Sequence, residues 1–154
     1  MKIVHGSPGF GSILTEEQTI KFLTDKKLNL LLGTVDKNAD PFIHPVWFLY
    51  ENKKLYVETS KTSKKVQNIH HKNTVYFCID DENLPYIGVR GKALVKISTG
   101  VEDNIPIAER IMVKYTGDLN NKVAKMLMDG VKDGQSAILE ISPTYYSTWD
   151  HSES

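Results

Sequence analysis

The 154-residue sequence lacks the features of a disulfide-bonded or strongly charged protein. Its one cysteine, Cys78, excludes an intrachain disulfide, and a lone thiol within the apolar run TVYFCID is typical of a small core residue. Lysine and arginine together number 19, as do aspartate and glutamate, so the formal net charge is zero. This balance argues against a protein that holds nucleic acid by bulk positive charge, and any anion site must be local.

The sequence also lacks a long apolar run. No stretch approaches the roughly 20 apolar residues that cross a bilayer, and residues 1–14 do not resemble a signal peptide. Internal repeats, low-complexity segments and linkers are absent as well. We therefore expect one domain spanning residues 1–154, located in the cytoplasm and without a membrane partner.

Six segments have the β-branched and aromatic composition of strands, and most are separated by short polar turns. They are residues 28–36, 41–51, 53–60, 74–81, 86–98 and 136–149. Short turns join the first three, so we predict a three-stranded antiparallel meander there. Gly88 and Gly91 weaken the fifth strand unless it bends or bulges, as strands do at the corners of a small barrel.

Four segments have helical patterns: residues 12–27, a short segment that starts near Ser63, residues 103–115 and residues 121–131. The first carries a capping box, with Thr15 as the N-cap and Gln18 three residues later. In the last helix Val123, Met126, Leu127 and Val131 recur at helical spacing, and packing is the simplest explanation for its methionines. Together these elements predict an α+β, mainly β fold, an antiparallel barrel of six strands with covering helices.

The segment VETSKTSKKVQNIHHKN, residues 57–73, has a local surplus of hydroxyl groups and lysines. If a strand ends at Thr59 and a helix starts near Ser63, backbone N–H groups and side-chain hydroxyls meet in one gap, which favours a bound anion. Lys64 and Lys65 add positive charge there. Alternatively, a hydroxyl simply caps a surface helix whose lysines are solvated. The adjacent histidines, His70 and His71, face different directions, so we expect no metal site.

The strand before this segment carries Pro45, which cannot donate a hydrogen bond to a neighbouring strand. We therefore expect an edge strand or a bulge at this point. The residues that follow, Val46, Trp47 and Phe48, offer a flat apolar wall and backbone polar groups that suit a planar heteroaromatic ring. Burial in the core explains the same aromatic residues equally well.

Three segments, HPVWFLY, KLYVETSKTSKKVQNI and YIGVRGKALV, occur in an order and spacing that resemble the FMN-binding split-barrel superfamily of pyridoxamine 5'-phosphate oxidase and its relatives. The resemblance covers residues 28–95, with a weaker similarity in ISPTYYSTWD near the C-terminus. It implies that the predicted fold is a six-stranded antiparallel split β-barrel with covering helices.

The resemblance also implies a set of cofactor-binding residues. In the family, the matching strand lines the isoalloxazine ring of FMN, and a turn and helix start after the next strand hold the phosphate. The ring-lining residues here are His44, Pro45, Val46, Trp47, Phe48 and Leu49. The phosphate-end residues are Glu58, Thr59, Ser63, Lys64 and Lys65, with Asn68 beyond them and Tyr86 near the flavin.

As a function, the resemblance implies an FMN-dependent oxidoreductase that transfers hydride or electrons to or from a small organic substrate. It further implies a homodimer with the cofactor at the interface. The only arginines are Arg90 and Arg110, so the C-terminal arginine and histidine motif with which the oxidase grips its phosphorylated substrate is missing. We therefore do not expect pyridoxamine phosphate as substrate, and we assign no catalytic residue.

Three alternatives remain at this point. A branch of the same superfamily binds a deazaflavin coenzyme, and Lys61 and Lys72 could serve either cofactor. A non-catalytic flavin or haem carrier would have the same fold. A small barrel could instead bind RNA or single-stranded DNA through the basic turn, although the zero net charge favours no nucleic-acid partner.

Overall fold

The computed structural model describes residues 1–152, and within that range the chain forms eight strands and four helices. The strands are β1 Ile3–His5, β2 Leu30–Val35, β3 Pro41–Val46, β4 Leu49–Glu51, β5 Lys54–Ser60, β6 Thr74–Asp81, β7 Ile87–Ser98 and β8 Ser136–Asp150. The helices are α1 Glu16–Asp25, α2 Lys64–His71, α3 Val101–Thr116 and α4 Lys122–Lys132. The structure therefore has the α+β, mainly β composition predicted from the sequence.

All eight strands belong to one curled sheet. Seven follow the order β3-β2-β6-β7-β8-β5-β4, with antiparallel pairing throughout, and β1 pairs with β8 in parallel. The two edge strands, β3 and β4, are consecutive in the chain and only Trp47 and Phe48 separate them. Three steps of about 3.8 Å between Cα atoms join Val46 to Leu49, so the edges are within about 11 Å of each other there. The sheet is thus a half-barrel with a narrow split, as a split barrel requires.

The predicted count of six strands is wrong, for two reasons. The three-residue strand β1 is too short to be detected from its sequence pattern, and it forms only by pairing with β8. The segment at residues 41–51 forms two strands rather than one, because the chain leaves one sheet edge after Val46 and joins the opposite edge at Leu49. The predicted meander is wrong for the same reason, since β3 pairs with β2 and β4 with β5.

The helices agree with the sequence pattern. Thr15 caps α1, and the reciprocal capping box with Gln18 is formed through bonds of 3.1 and 2.9 Å. Ser63 caps α2, as its position after the strand end suggested. The pair α3 and α4 packs against the outside of the sheet, where a second apolar cluster forms around Ile111, Met112 and Met128. None of the helices in residues 1–152 combines the length and apolar character that a bilayer-spanning helix requires.

The barrel interior contains the main core, and β5, β6 and β7 supply alternate residues to it. Val75, Phe77 and Ile79 of β6 point inward, as the alternation predicted. In β7 the register shifts between Lys92 and Ala93, next to the glycine-containing segment where a bend was predicted. Pro45 lies in the edge strand β3, which confirms the expectation that it could not occupy a central strand.

Candidate functional site

A cleft of about 710 Å³ opens beside the split in the sheet. Three groups of residues form it: the edge of β3, the end of β5 with the start of α2, and the facing sides of α3 and α4. The residues from the sheet and α2 are Pro45, Val46, Trp47, Glu58, Thr59, Ser60, Lys65 and Ser136. Six of the thirteen cofactor-binding residues predicted from the sequence therefore line one cleft. Its volume lies in the range of about 300 to 1,000 Å³ that is usual for small-molecule sites.

The polar end of the cleft is organised around Lys65. Its Nζ donates a hydrogen bond to Thr59 Oγ1 at 2.9 Å, and the Thr59 hydroxyl is 3.4 Å from Ser63 Oγ. Burial lowers the pKa of Lys65, and the nearby Glu58 carboxylate opposes that effect. A partly desolvated ammonium group next to hydroxyl groups is suited to bind an oxyanion.

Glu58 places a carboxyl group in the same region. Burial raises its pKa, while a hydrogen bond from Ser136 and the charge of Lys65 act in the opposite direction. A raised pKa means that the carboxyl group is protonated more readily than an exposed glutamate. The positive charge of Lys65 at the polar end is therefore only partly neutralised. The extent of neutralisation depends on whether the Glu58 carboxyl group is ionised.

The other predicted members of the phosphate end lie outside the cleft lining. The Lys64 ammonium is 5.3 Å from the centroid of the Phe42 ring, and its charge acts on Asp36. Ser63 uses its hydroxyl to cap α2 by accepting a 3.4 Å bond from the Val66 N–H. The two adjacent lysines thus diverge, because neighbouring residues at the start of a helix project about 100° apart. Only Lys65 is directed into the cleft.

The chain that crosses between the two sheet edges forms one wall. The Trp47 ring stacks on Tyr115 of α3, with ring centroids 4.8 Å apart and an interplanar angle of 3°. Both backbone polar groups of Phe48 are bonded to α3: its N–H donates to Tyr115 Oη at 3.2 Å, and its carbonyl accepts from Lys114 Nζ at 2.9 Å. Because Phe48 pairs with neither sheet edge, these side chains replace the missing ladder bonds.

Two predicted ring-lining residues of this wall face away from the cleft. Phe48 is fully buried in the barrel core, and Leu49 packs against the cluster formed by α3 and α4. Burial lowers the pKa of Lys114 to about 8 and raises that of Tyr115 to about 12. The two α3 residues therefore hold the crossing segment in place, and the sequence contained no local signal for that role.

His44 and Asn68 belong to a hydrogen-bonded polar chain in which Asn68 and Thr34 are buried and His44 is partly exposed. Asn68 Nδ2 donates to Thr34 Oγ1 at 3.0 Å, and Thr34 Oγ1 is 3.0 Å from His44 Nε2. Burial and the positive charge of Lys65 lower the pKa of His44. This chain joins α2, which carries Lys65, to β2 and β3. Neither residue contributes to the cleft lining.

Replacing Asn68 with alanine is expected to lower the free energy of unfolding by about 1 to 3 kcal/mol, because Asn68 is 2% exposed and its amide has a buried partner. Urea unfolding measures the change. The matched control is Gln67→Ala, whose side chain bonds the Thr62 carbonyl at an exposed position and which should change stability by less than about 0.5 kcal/mol. Equal effects of the two variants would contradict the buried role of Asn68.

Tyr86 lies in a different part of the molecule. Its hydroxyl donates to Asp80 Oδ2 at 3.0 Å, and its ring is 5.6 Å from Trp149 and 5.4 Å from His151. This aromatic group closes the end of the sheet where β6, β7 and β8 meet. Tyr86 does not line the cleft within the described chain.

The wall that α3 and α4 contribute to the cleft was not predicted from the sequence. It consists of Ile111, Met112, Val123, Met126 and Leu127, with Gly130 at its end. The sequence pattern of α4 predicted a packing stripe of Val123, Met126, Leu127 and Val131, but the buried residues of the helix are Ala124, Met128 and Val131. Val123 and Met126 are additional apolar residues that this packing does not need, and they remain 45% and 65% exposed.

The geometry is compatible with a flavin phosphate. A phosphate at the polar end would meet the Lys65 ammonium and the Thr59 and Ser60 hydroxyl groups. A planar ring could then lie along the outer edge of β3, whose other edge is paired with β2. Glu58 is the one unfavourable group, and its raised pKa reduces the repulsion. The residues present therefore fit a mononucleotide-type cofactor.

Comparison with known proteins identifies a matching family and structures of the same fold. A family model described as pyridoxamine 5'-phosphate oxidase matches residues 16–150. Comparison with curated protein sequences finds no match. Among solved structures, the conserved hypothetical protein Rv2991 from Mycobacterium tuberculosis is similar with a TM-score of 0.79 and 18% identity, over 96% of this chain and 91% of that one.

Two further structures have the same fold and printed descriptions that name a cofactor. One is described as an F420 reductase, with a TM-score of 0.66 and 21% identity over 82% of this chain and 94% of that one. The other is described as an FAD-binding protein from Mesorhizobium loti, with a TM-score of 0.65 and 14% identity over 89% and 93% of the two chains. At these identities, the similarities establish the fold alone.

Proposed function

The chain belongs to the pyridoxamine 5'-phosphate oxidase family, and we propose that it is an FMN-dependent oxidoreductase whose cofactor occupies the cleft beside the split in the sheet. The observation that supports this most directly is the Lys65 ammonium, hydrogen-bonded at 2.9 Å to Thr59 and directed into a cleft of mononucleotide size. Bound FMN would supply the hydride or electron transfer.

The protein's own residues provide binding and orientation in this proposal. Lys65, Thr59 and Ser60 hold the phosphate, and the outer edge of β3 aligns the ring. Trp47 borders the ring and is itself held by stacking on Tyr115. No residue of the cleft is assigned as a general acid or base.

The test is a titration of the cofactor-free protein with FMN and with riboflavin, which differs from FMN only in lacking the phosphate. Three contacts to the phosphate should make FMN bind roughly 100-fold more tightly, since each charge-assisted bond contributes about 1.5 to 3 kcal/mol and part is lost to desolvation. Equal affinities would refute the phosphate site. Failure of the loaded protein to oxidise a reduced nicotinamide faster than free FMN would refute the enzymatic part.

A deazaflavin coenzyme is the second candidate, favoured by the similar structure described as an F420 reductase. Its acidic tail would need several lysines near the phosphate end. Lys61 lies in the turn beside the cleft, with its N–H bonded to the Gln135 carbonyl at 3.0 Å. Lys72 follows the other end of α2, about 10 Å from Lys65 along the helix, so it does not join Lys65 at the phosphate end. The same titration with F420 compares the two cofactors directly.

We also propose that two copies of the chain pair through the outer face of β3, β2, β6 and β7. This face exposes a row of apolar side chains, Leu31, Ile43, Tyr76 and Leu94, of which Ile43 is 74% exposed. Contiguous exposed apolar residues usually mark an interaction surface. Ile43 and Pro45 alternate along β3 on this face, and Pro45 also lines the cleft, so the cofactor would border the interface.

Ile43→Asp is expected to convert the dimer to a monomer, because it would bury an unpaired carboxylate in the interface. Light scattering after size-exclusion chromatography measures the mass. Val113→Asp is the matched control, since Val113 is 46% exposed on α3, away from this face. The proposal is refuted if the wild-type protein is a monomer at micromolar concentration, or if Ile43→Asp and Val113→Asp have the same mass.

A further inference from the structure

The wall formed by α3 and α4 differs in character from the rest of the cleft. Among the cleft-lining residues of the described chain, the charged groups are Glu58 and Lys65, and both lie at the polar end. The helical wall contributes the side chains of Ile111, Met112, Val123, Met126 and Leu127, without a hydroxyl, amide or charge. A ligand against this wall therefore finds apolar contacts and no partner for an ionic group.

None of the four charged residues of α4 lines the cleft in the described chain, and three of them line a different groove. Lys125, Asp129 and Lys132 line a separate groove together with Glu109 and Leu119. Because residues three and four apart share a helix face, Lys125, Asp129 and Lys132 form one stripe. Val123 and Met126 are on a different side, facing the cleft. Lys122, four positions before Met126, lines neither groove, so the cleft receives no charged side chain from α4 in the described chain.

Lys65 cannot serve a second anion. In the proposed function its ammonium is the phosphate ligand of the cofactor, and Glu58 balances part of its charge. A substrate carrying its own phosphate or carboxylate would have to desolvate that group against methionine and valine side chains. Placing a charge against this surface removes part of its hydration and supplies no counter-charge, which is unfavourable.

From these observations we infer that the substrate of the cleft is an uncharged, apolar or aromatic molecule. It packs between the cofactor ring and the wall formed by α3 and α4, where Val123 and Met126 are exposed. This inference rests on the proposed function and specifies its substrate class. The polarizable, unbranched side chain of Met126, 65% exposed, can adapt to ring systems of different shape. An apolar planar molecule is therefore complementary to the wall, and a phosphorylated one is not.

The experiment compares two probes of similar ring structure, 1-naphthol and 1-naphthyl phosphate. Their binding to the FMN-loaded protein is measured by calorimetry and by the perturbation of the flavin absorption band. We expect 1-naphthol to bind at least 10-fold more tightly than 1-naphthyl phosphate. Equal or tighter binding of the phosphate would overturn the inference.

The second part of the experiment places a charge on the wall and repeats the two binding measurements. Met126→Lys should shift the affinity ratio toward 1-naphthyl phosphate by roughly 10-fold, because it supplies the missing counter-charge. Met126→Leu keeps the wall apolar at similar volume and should preserve the preference. An unchanged ratio in Met126→Lys would also overturn the inference, because the wall would then not contact the probe.

FMN affinity is measured for each variant, so loss of cofactor is distinguished from loss of selectivity. If the wild-type chain does not bind FMN but still prefers 1-naphthol, and Met126→Lys reduces that preference by roughly 10-fold, the cofactor proposal fails while the selectivity of the wall stands. If FMN binds and the probes are not discriminated, the substrate inference fails and the cofactor proposal stands.

Discussion

Lys65→Ala is expected to weaken FMN binding by roughly 10- to 100-fold and to leave riboflavin binding within about 3-fold of wild type. The Lys65 ammonium is the one cation that lines the cleft in the described chain, and it is 2.9 Å from Thr59 Oγ1. Removing a charge-assisted bond to a phosphate costs about 1.5 to 3 kcal/mol, which corresponds to this range. Fluorescence quenching of FMN and of riboflavin provides both affinities.

Lys64→Ala is the matched control, because the adjacent Lys64 is over the Phe42 ring at 5.3 Å and outside the cleft lining. It removes the same charge from the neighbouring position and should change FMN affinity by less than about 3-fold at physiological salt. Glu58→Gln should act in the opposite direction to Lys65→Ala, since it removes the carboxylate that opposes a bound phosphate. Equal losses in Lys64→Ala and Lys65→Ala would show that the phosphate is held by diffuse charge rather than by Lys65.

Gly91→Ala is expected to lower the free energy of unfolding by at least about 2 kcal/mol. A Cβ atom at this inward position of β7 would overlap the Tyr145 carbonyl oxygen of the paired strand and approach Phe77 Cζ to 3.0 Å. Since the first of these contacts is with backbone, the clash can be relieved only by moving β7 away from β8, and overpacking of this kind costs about 1 to 3 kcal/mol or more. Chemical denaturation measures the change.

Gly130→Ala is the control for this variant, and its expected change in the free energy of unfolding has the opposite sign. Gly130 is near the end of α4, where an added Cβ would meet Ser136 Oγ at 3.6 Å, an ordinary contact distance. Because glycine within a helix is about 0.5 to 1 kcal/mol less favourable than alanine, the substitution should stabilise the protein by up to that amount. A neutral Gly91→Ala would mean that β7 and β8 separate more easily at this corner than the packing indicates.

The alternation of apolar residues and the helix-capping residues in the sequence were sufficient to locate nearly every strand and helix. Alternating Val75, Phe77 and Ile79 identified β6, and the Thr15–Gln18 capping box identified the start of α1. Both signals are local, because strand alternation and helix capping depend on residues within a few positions of each other. The polar stretch after Thr59 was likewise recognisable as the start of a helix rich in potential anion ligands.

Other features depended on residues that are far apart in the chain. The break at Trp47 and Phe48 could not be seen locally, because it requires Tyr115 and Lys114, more than sixty positions away, to bond the backbone of Phe48. The short strand β1 likewise exists only through its pairing with residues 146–148 of β8. Such contacts have no signature in a local hydrophobic pattern.

By itself, the sequence determined the composition of the fold, the exclusion of Pro45 from a regular central strand and the presence of a basic, hydroxyl-rich helix start. The tertiary structure decided which of two adjacent lysines faces the cleft, and it brought the apolar wall of α4 opposite the edge of β3. Helix geometry directs consecutive side chains about 100° apart, so the role of Lys64 or Lys65 depends on how α2 is rotated against the sheet. That rotation is set by the packing of Val66 and Ile69 in the core, and by the buried bond from Asn68 to Thr34.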